Sequence, residues 1–406
     1  MYLSLNIVYI NKEKNLFTLL DIDNNTYICK YLIICTGLSQ PYIPEYLSKK
    51  NFPEVIGYEE MSIDVNDYVN KNVLILGKGN SAMETANHLR NVAAKIVMRS
   101  HNEPRFAWNT HYVGDIRAIN VDYIDAYQLK GLALIEEVDD EILDRDGMKT
   151  DNPSDVIIRC LGWKFNDSLF SSSIKPQMFK GKVPKMTCTY ESANVSNLYF
   201  CGTLMQYTDY RKSTSGFIHG FRYAARFLYK YFKKMHYNIP YPIKSLKPYR
   251  LLELNDNLFD KETLAKSLEY FILKYLSVTS GLVQLFGHYC SIIIIEDNNE
   301  LFFIQELPIA YVKKKYNHKN IIMLTLEYGF SKFDNRLHSF PIVDPEFGFR
   351  SLFLHPIYTY YPKNTMNKKN HEKKMLCVCG RWGGSDYIKK YTKHPMSLGI
   401  AIWTVL

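Results

Sequence analysis

The chain is 406 residues long, 47% hydrophobic and 22% charged, with a formal net charge of +9. One hydrophobic core rarely organises so many residues, so two or three domains are expected. No apolar run approaches the roughly eighteen residues of a membrane-spanning helix. The basic excess lies in short runs such as Lys313 to Lys315, with no nucleic-acid motif beside them, so neither a membrane span nor a nucleic-acid partner is expected.

In chain order, residues 1–31 alternate apolar and polar positions around a turn at Asp23-Asn24-Asn25, the pattern of an antiparallel meander. Tyr31 to Gly37 reads as a buried strand ending in Thr36-Gly37. The most informative stretch follows: Asn72-Val-Leu-Ile-Leu-Gly77-Lys-Gly79-Asn80-Ser81-Ala82-Met-Glu84. Val73 to Leu76 is the short apolar run of a parallel strand covered on both faces. Gly77 permits a tight turn, Gly79 lets the backbone approach a phosphate, and Ala82 fills the third small position, where helix and strand pack closely. Ser81 with Glu84 three residues on is a capping-box pattern, so a helix is expected to start there. Its free amides and positive dipole end would face a dinucleotide pyrophosphate. The next strand, Lys95 to Met98, is followed by Arg99. An acid at that place would hold the ribose hydroxyls of NAD, whereas an arginine suits the additional phosphate of NADP, with Arg105 in support.

Two further strands end in glycine, Asp155 to Gly162 and Asn197 to Gly202-Thr203. Ser215-Gly216-Phe217 then opens a helix expected to run to about Lys233, with Phe217, Phe221, Ala224, Ala225 and Leu228 on its apolar face. Four glycine-ended strands suggest two dinucleotide folds, one inserted in the other. From about His236, Pro240, Pro242 and Pro248 mark a linker, and helical and irregular segments are expected beyond it. Of the eight cysteines, none forms a CxxC redox pair. Cys35, Cys160 and Cys201 lie in apolar runs and are expected to be buried. Cys377 and Cys379, with His371 nearby, could be redox-active or bind a metal, but read better as loop cysteines without a role. His355 and Arg381-Trp-Gly-Gly read best as turn or core residues.

Thr36-Gly37, the Gly77-x-Gly79-Asn80-Ser81-x-x-Glu84 turn, Leu161-Gly162-Trp163 and the last strand and helix together resemble oxidoreductases of the flavin-containing monooxygenase type, over residues 1 to about 233. Longer strings sharpen the likeness. Thr110-His111-Tyr-Val-Gly114-Asp115-Ile-Arg117-Ala-Ile-Asn120 and Asp209-Tyr-Arg211-Lys-Ser-x-x-Gly216-Phe-Ile-His219-Gly220 are similar to soluble flavoproteins of the endoplasmic reticulum linked to degradation of misfolded proteins. The resemblance implies FAD and NADP(H) as cofactors and the endoplasmic reticulum lumen as the location. It implies disulfide oxidoreductases of that compartment and degradation-complex components as partners. Thr36, Gly37, Gly202 and Thr203 would lie near the flavin, with the helix that starts near Gly216 directed at it and Gly162 among the cofactor-binding residues. Gly77, Gly79, Asn80, Ser81, Ala82 and Arg99 would hold the nicotinamide nucleotide. His111, Asp115, Arg117 and His219 are the polar residues of the shared strings and hence the catalytic candidates, with ion-paired loop residues as the competing reading.

The fold so implied is α/β. Two Rossmann-like dinucleotide-binding folds are expected, an NADP domain (45–163) inserted in a partial FAD domain (1–44 and 164–235). A C-terminal α+β or mostly helical domain (236–406) would follow. Two departures matter. No GxGxxG stands before Thr36 to hold the FAD pyrophosphate, which together with the lack of a signal peptide at Met1 and a retention signal at Leu406 fits an incomplete sequence. The monooxygenase signature, F-x-G-x-x-x-H in outline, is met by Gly57-Tyr-Glu-Glu-Met61, and a thioether cannot supply the histidine's N–H. A reductase is therefore expected. A degenerate fold serving as an interaction module and an active flavin monooxygenase are the alternatives. Sequons at Asn24, Asn166 and Asn194 are compatible with a lumenal glycoprotein.

Overall fold

The structure, a computed structural model, describes residues 5–48, 54–100, 103–122, 124, 135–137, 154–246, 261–297, 300–328, 354–366 and 373–375. His371, Cys377, Cys379 and Arg381 lie outside them. The chain divides into two compact units, Met1–Thr187 with Glu191–Gly216, and Cys188–Tyr190 with Phe217–Leu406.

The first unit opens with an antiparallel meander of β1 (Ile7–Glu13), β2 (Leu16–Asp21) and β3 (Thr26–Cys29). The buried Asp21 carboxylate closes its turn by accepting from the amides of Asp23 and Asn25 and from the Tyr27 hydroxyl. β4 (Leu32–Ile34) follows and pairs in parallel with β14 (Leu198–Phe200). β14 is buried throughout, but Ile33 and Cys35 are exposed and Cys201 is half-buried. This corrects the expectation of burial for Cys35 and Cys201. Among the described residues β4 has a strand on one side only, so its apolar sequence does not earn a covered face. Cys160 is buried as expected.

β5 (Gln40–Pro41) pairs with β11 (Trp163–Lys164), and β12 (Met178–Phe179) with β13 (Val183–Pro184). Between these lie the five parallel strands β6 (Ile56–Gly57), β7 (Asn72–Leu76), β8 (Lys95–Ser100), β9 (Ile135–Glu137) and β10 (Val156–Arg159), in the order β6-β10-β7-β8-β9. α1 (Asn80–Leu89) covers one face, burying Ala82, Met83, Ala86 and Leu89 with Val73, Ile75, Ile96 and Met98. Leu74, Leu76, Val97 and Ile157 form a second cluster with Leu47 and Val55. Burial on both faces is why β7 reads as a continuous apolar run. A single helical turn, α2 (Ala107–Thr110), begins the segment that returns toward α1.

In the second unit, α3 (Ile218–Tyr237) starts two or three residues later and ends later than the sequence suggests. Its buried face is Gly220, Tyr223, Ala224, Phe227 and Leu228, with Phe221 and Ala225 only half-buried. Phe227 meets Tyr289 and Tyr311 edge-on. These contacts hold α3 within the second unit. Among the described residues beyond α3 the architecture is α+β rather than mostly helical. α4 (Lys261–Leu276), α5 (Ser280–Gln284) and α6 (Ile309–Lys315) accompany an antiparallel sheet of β15 (Lys244–Leu246), β16 (Tyr289–Ile295), β17 (Leu301–Pro308), β18 (Asn320–Tyr328), β19 (Leu354–Tyr361) and β20 (Lys373–Met375). Its order is β15-β17-β16-β18-β19-β20. β16 is buried at every position, so its isoleucine run is a central strand of the sheet. Among the described residues no helix is long and apolar enough to cross a membrane.

Candidate nucleotide-binding site

The turn between β7 and α1 builds the site. Gly77 has φ +118, and its amide donates to the Arg99 carbonyl at 2.8 Å. A Cβ at Gly77 would stand 2.4 Å from the Cys160 carbonyl oxygen, so only glycine lets β7, β8 and β10 converge here. Gly79 differs. Its backbone is extended, and a Cβ there would meet nothing within 4 Å. The gap above Gly79 is the space a pyrophosphate needs.

Gly79 is the N-cap of α1, and no side chain caps the helix. The capping box expected from Ser81 and Glu84 does not form, because the cap falls two residues earlier, at Gly79, and Ser81 lies inside the helix. Glu84 instead pairs with Arg117 at 3.1 Å and accepts from Asn120. The first amides of α1 are thus left for a ligand. Arg99 sits directly opposite Leu76 in the β7–β8 register, beside the turn.

Asn80 has a structural task. Its Nδ2 donates to the carbonyls of Asp115 (2.8 Å) and Gly114 (3.3 Å), and its Oδ1 accepts from the Arg117 amide (3.0 Å) and Asn120 Nδ2 (2.9 Å). The side chain therefore fastens the 105–120 segment to the start of α1. Within that segment Asp115 is buried, accepts from Thr110 Oγ1 at 2.7 Å and pairs with Arg105 at 3.2 Å. His111 caps α2 in the left-handed region, and burial lowers its pKa. Asp115 and Arg117 are thus ion-paired loop residues here. His219 lies in the other unit, its ring stacked on Phe217.

Two of the other glycine-ended strands, β4 and β14, form a second edge in the same unit. Thr36 and Gly37 follow β4, and Gly202 and Thr203 follow β14, where Gly202 opens a 3-10 helix to Asp209. At Gly37, Gly162 and Gly202 a Cβ would again meet nothing within 4 Å. Gly162 is fixed through its carbonyl, which accepts from the Tyr42 amide at 2.8 Å. Gly216 is closed instead, with Gln206 3.1 Å from a Cβ there. Beneath Gly216, the buried Asp209 carboxylate accepts from Ser213 and Ser215 hydroxyls and from the Ser213 amide.

That bracing presents Tyr210, Arg211 and Lys212 to a cleft of about 390 Å³ that Arg105, Lys180 and Lys182 also line. Lys180 and Lys182 come from the β12–β13 hairpin. Burial, then the nearby Arg211, lowers the Lys182 pKa, while its ammonium donates to the Leu161 carbonyl and sits 4.1 Å from the Tyr42 ring centroid. Five cations thus line the cleft, with Asp115 on Arg105 as a counter-charge. Such a lining suits a phosphate-bearing anion. The sequence hid it, because its cations come from three separate segments.

Met61, set against the monooxygenase histidine in the sequence comparison of motifs, packs against the core beneath α1, 3.8 Å from Thr85 Oγ1. The Glu60 carboxylate accepts from the Gly57 amide at 3.0 Å and shapes this turn.

The parallel sheet with its uncapped helix, together with the second glycine-ended edge, defines a two-dinucleotide-fold flavoprotein architecture. Residues 3–202 match the family described as pyridine nucleotide-disulphide oxidoreductase. The chain is similar to FAD-dependent oxidoreductase domain-containing protein 2 of Mus musculus, at 31% identity over 411 residues, covering 88% of this chain and 59% of that protein. The Danio rerio protein of the same name is 30% identical and is matched over 57% of its length. The chain thus spans a little under three fifths of these relatives. A flavin-containing monooxygenase structure from Stenotrophomonas maltophilia aligns with a TM-score of 0.39 and 17% identity, over 50% of this chain and 62% of that one.

Proposed function

We propose that the chain is part of an NADPH-dependent flavin oxidoreductase that passes electrons to a disulfide or a comparable acceptor, and that it works in the endoplasmic reticulum lumen in degradation of misfolded proteins. The observation that carries the nucleotide half is the uncapped start of α1 above an open Gly79, with Arg99 beside it. Gly77, Gly79, Ser81 and Ala82 would cradle the pyrophosphate, and Arg99 would take the additional phosphate of NADP. The edge at Thr36, Gly37, Gly202 and Thr203 fits one side of a flavin. When bound, the two cofactors supply hydride and two-electron chemistry, and the chain supplies their orientation. Met61 speaks for a reductase over an oxygenase, since its thioether is turned into the core. The name of the curated relatives supports FAD. The resemblance supports the lumenal location and partners among disulfide oxidoreductases and degradation factors.

The deciding experiment is the visible spectrum of the protein expressed with any upstream coding sequence. A flavin spectrum bleached by NADPH in preference to NADH is expected. Arg99→Asp should move that preference toward NADH by about tenfold or more, since a bidentate arginine–phosphate contact is replaced by repulsion. A colourless full-length protein would favour the interaction module instead.

The sequons give an independent test of location. Asn24 is exposed at the meander turn. Asn194 has its Nδ2 bonded to the Lys175 carbonyl at 2.9 Å and its Oδ1 bonded to the Gln177 amide. Glycosidase-sensitive mass on secretory-pathway protein is therefore expected at Asn24 and not at Asn194, and its absence from Asn24 would count against a lumenal site.

A further inference from the structure

Cys35 and Cys201 end adjacent parallel strands. β4 and β14 pair Ile33 with Tyr199 and Ile34 with Phe200, and the Cys201 amide donates to the Ile34 carbonyl at 2.9 Å. The two cysteines therefore take the next facing positions of the same register. Neighbouring strands run about 4.8 Å apart, inside the Cα separations of roughly 4.4–6.8 Å that a disulfide spans. The two thiols hydrogen-bond to each other. Cys35 is exposed and Cys201 half-buried, so a reactant meets Cys35 first with Cys201 beside it.

We propose that Cys35 and Cys201 are a redox-active dithiol that exchanges with disulfide compounds, Cys35 attacking and Cys201 resolving. The Cys35 thiolate attacks one sulfur of a disulfide, forming a mixed disulfide as the old S–S bond breaks. The leaving thiolate takes a proton from water. Cys201 then gives up its proton and attacks the Cys35 sulfur, releasing the second thiol and closing the Cys35–Cys201 bond. In sum, the dithiol and one disulfide become a protein disulfide and two thiols, with the disulfide compound as oxidant. Excess thiol reverses both steps.

The other described cysteines lack this arrangement. Cys160 and Cys290 are buried, and burial pushes their thiols up, that of Cys160 to about 11. Burial also raises Cys29 and Cys188. The hydrogen bond from Cys201 brings Cys35 down to about 7, while the same bond and burial raise Cys201. An attacking thiol is most effective with its pKa near the ambient pH. The pair directly precedes Thr36 and Gly202, so its disulfide would lie at the proposed flavin edge. The exchange itself needs no nucleotide, which keeps its test separate from that of cofactor binding.

The test treats the native, reduced protein with glutathione disulfide at neutral pH, followed by acid quench, alkylation and peptide mass mapping. A linked Cys35–Cys201 peptide that reverts with excess glutathione is the expected product. Cys201→Ala should instead accumulate glutathione on Cys35, and the half-maximal pH for alkylating Cys35, near 7 in the parent, should rise by about one unit or more toward that of a free thiol. Cys201→Ser, which retains a hydrogen-bond donor, should keep the low midpoint and still accumulate the adduct. The proposal is overturned if the parent holds glutathione on Cys35 without forming the linked peptide, or if Cys29 or Cys188 reacts as fast as Cys35.

Discussion

Gly77→Ala is expected to destabilise the nucleotide-binding unit by about 3–5 kcal/mol, whereas Gly79→Ala leaves stability within about 0.5 kcal/mol and weakens NADPH binding about tenfold or more. The two substitutions add the same methyl group two residues apart. At Gly77 the backbone has φ +118, which costs an L side chain about 1–3 kcal/mol. The methyl would also press on the Cys160 carbonyl at 2.4 Å. That carbonyl cannot easily retreat, because the Cys160 amide is tied to the Leu76 carbonyl at 2.8 Å. Overpacking of this kind costs a further ~1–3 kcal/mol. At Gly79, φ is −77 and the neighbourhood is open, so alanine strains nothing in the protein. It stands instead where the pyrophosphate must approach. Thermal unfolding and NADPH titration of both variants check the contrast. Unchanged affinity in Gly79→Ala would mean that the phosphates do not sit over this turn.

Asn80→Ala is the second large effect, an expected loss of about 2–4 kcal/mol. Four hydrogen bonds disappear, each contributing about 1 kcal/mol net. The damage should be local. Amide hydrogen exchange should accelerate across 105–120, where the Arg117 amide and the Gly114 and Asp115 carbonyls lose their partner, while β7 and β10 stay protected. Asn80→Asp should do no better, since it keeps the acceptor but places a carboxylate against two carbonyls. A residue serving the cofactor alone would behave oppositely, with normal stability in the unliganded protein and reduced affinity. Unaltered exchange in Asn80→Ala would therefore return Asn80 to the cofactor.

Position in the motif made Asn80 look like a cofactor residue, and the sequence contains its partners only as an unexplained string 35 residues later. The capping box expected at Ser81 also meets a distant segment. Ser81 and Glu84 have the right spacing for a capping box, but Gly79 takes the cap and Arg117 takes the glutamate. Local spacing lists the bonds a side chain could make, and a distant segment that offers better geometry wins. The C-terminal region shows the same limit for strands. Ser291 to Ile295 is too short for its periodicity to separate helix from strand, and only its pairing with β17 and β18 makes it the middle of a sheet.

By itself the sequence determined the features that local chemistry dictates: the meander turn, the β7–glycine–α1 unit, the glycine-ended strands and the two dinucleotide folds. Each rests on backbone geometry or on burial of a contiguous run, and both are written in neighbouring residues. Tertiary structure alone decided which residues meet. It placed Lys180, Lys182, Arg211 and Arg105 around one cleft, committed Asn80 to the 105–120 segment, and set Cys35 beside Cys201 through the register of two strands far apart in the chain. Strand register and long-range side-chain bonds depend on the whole packed unit, so no window of sequence contains them.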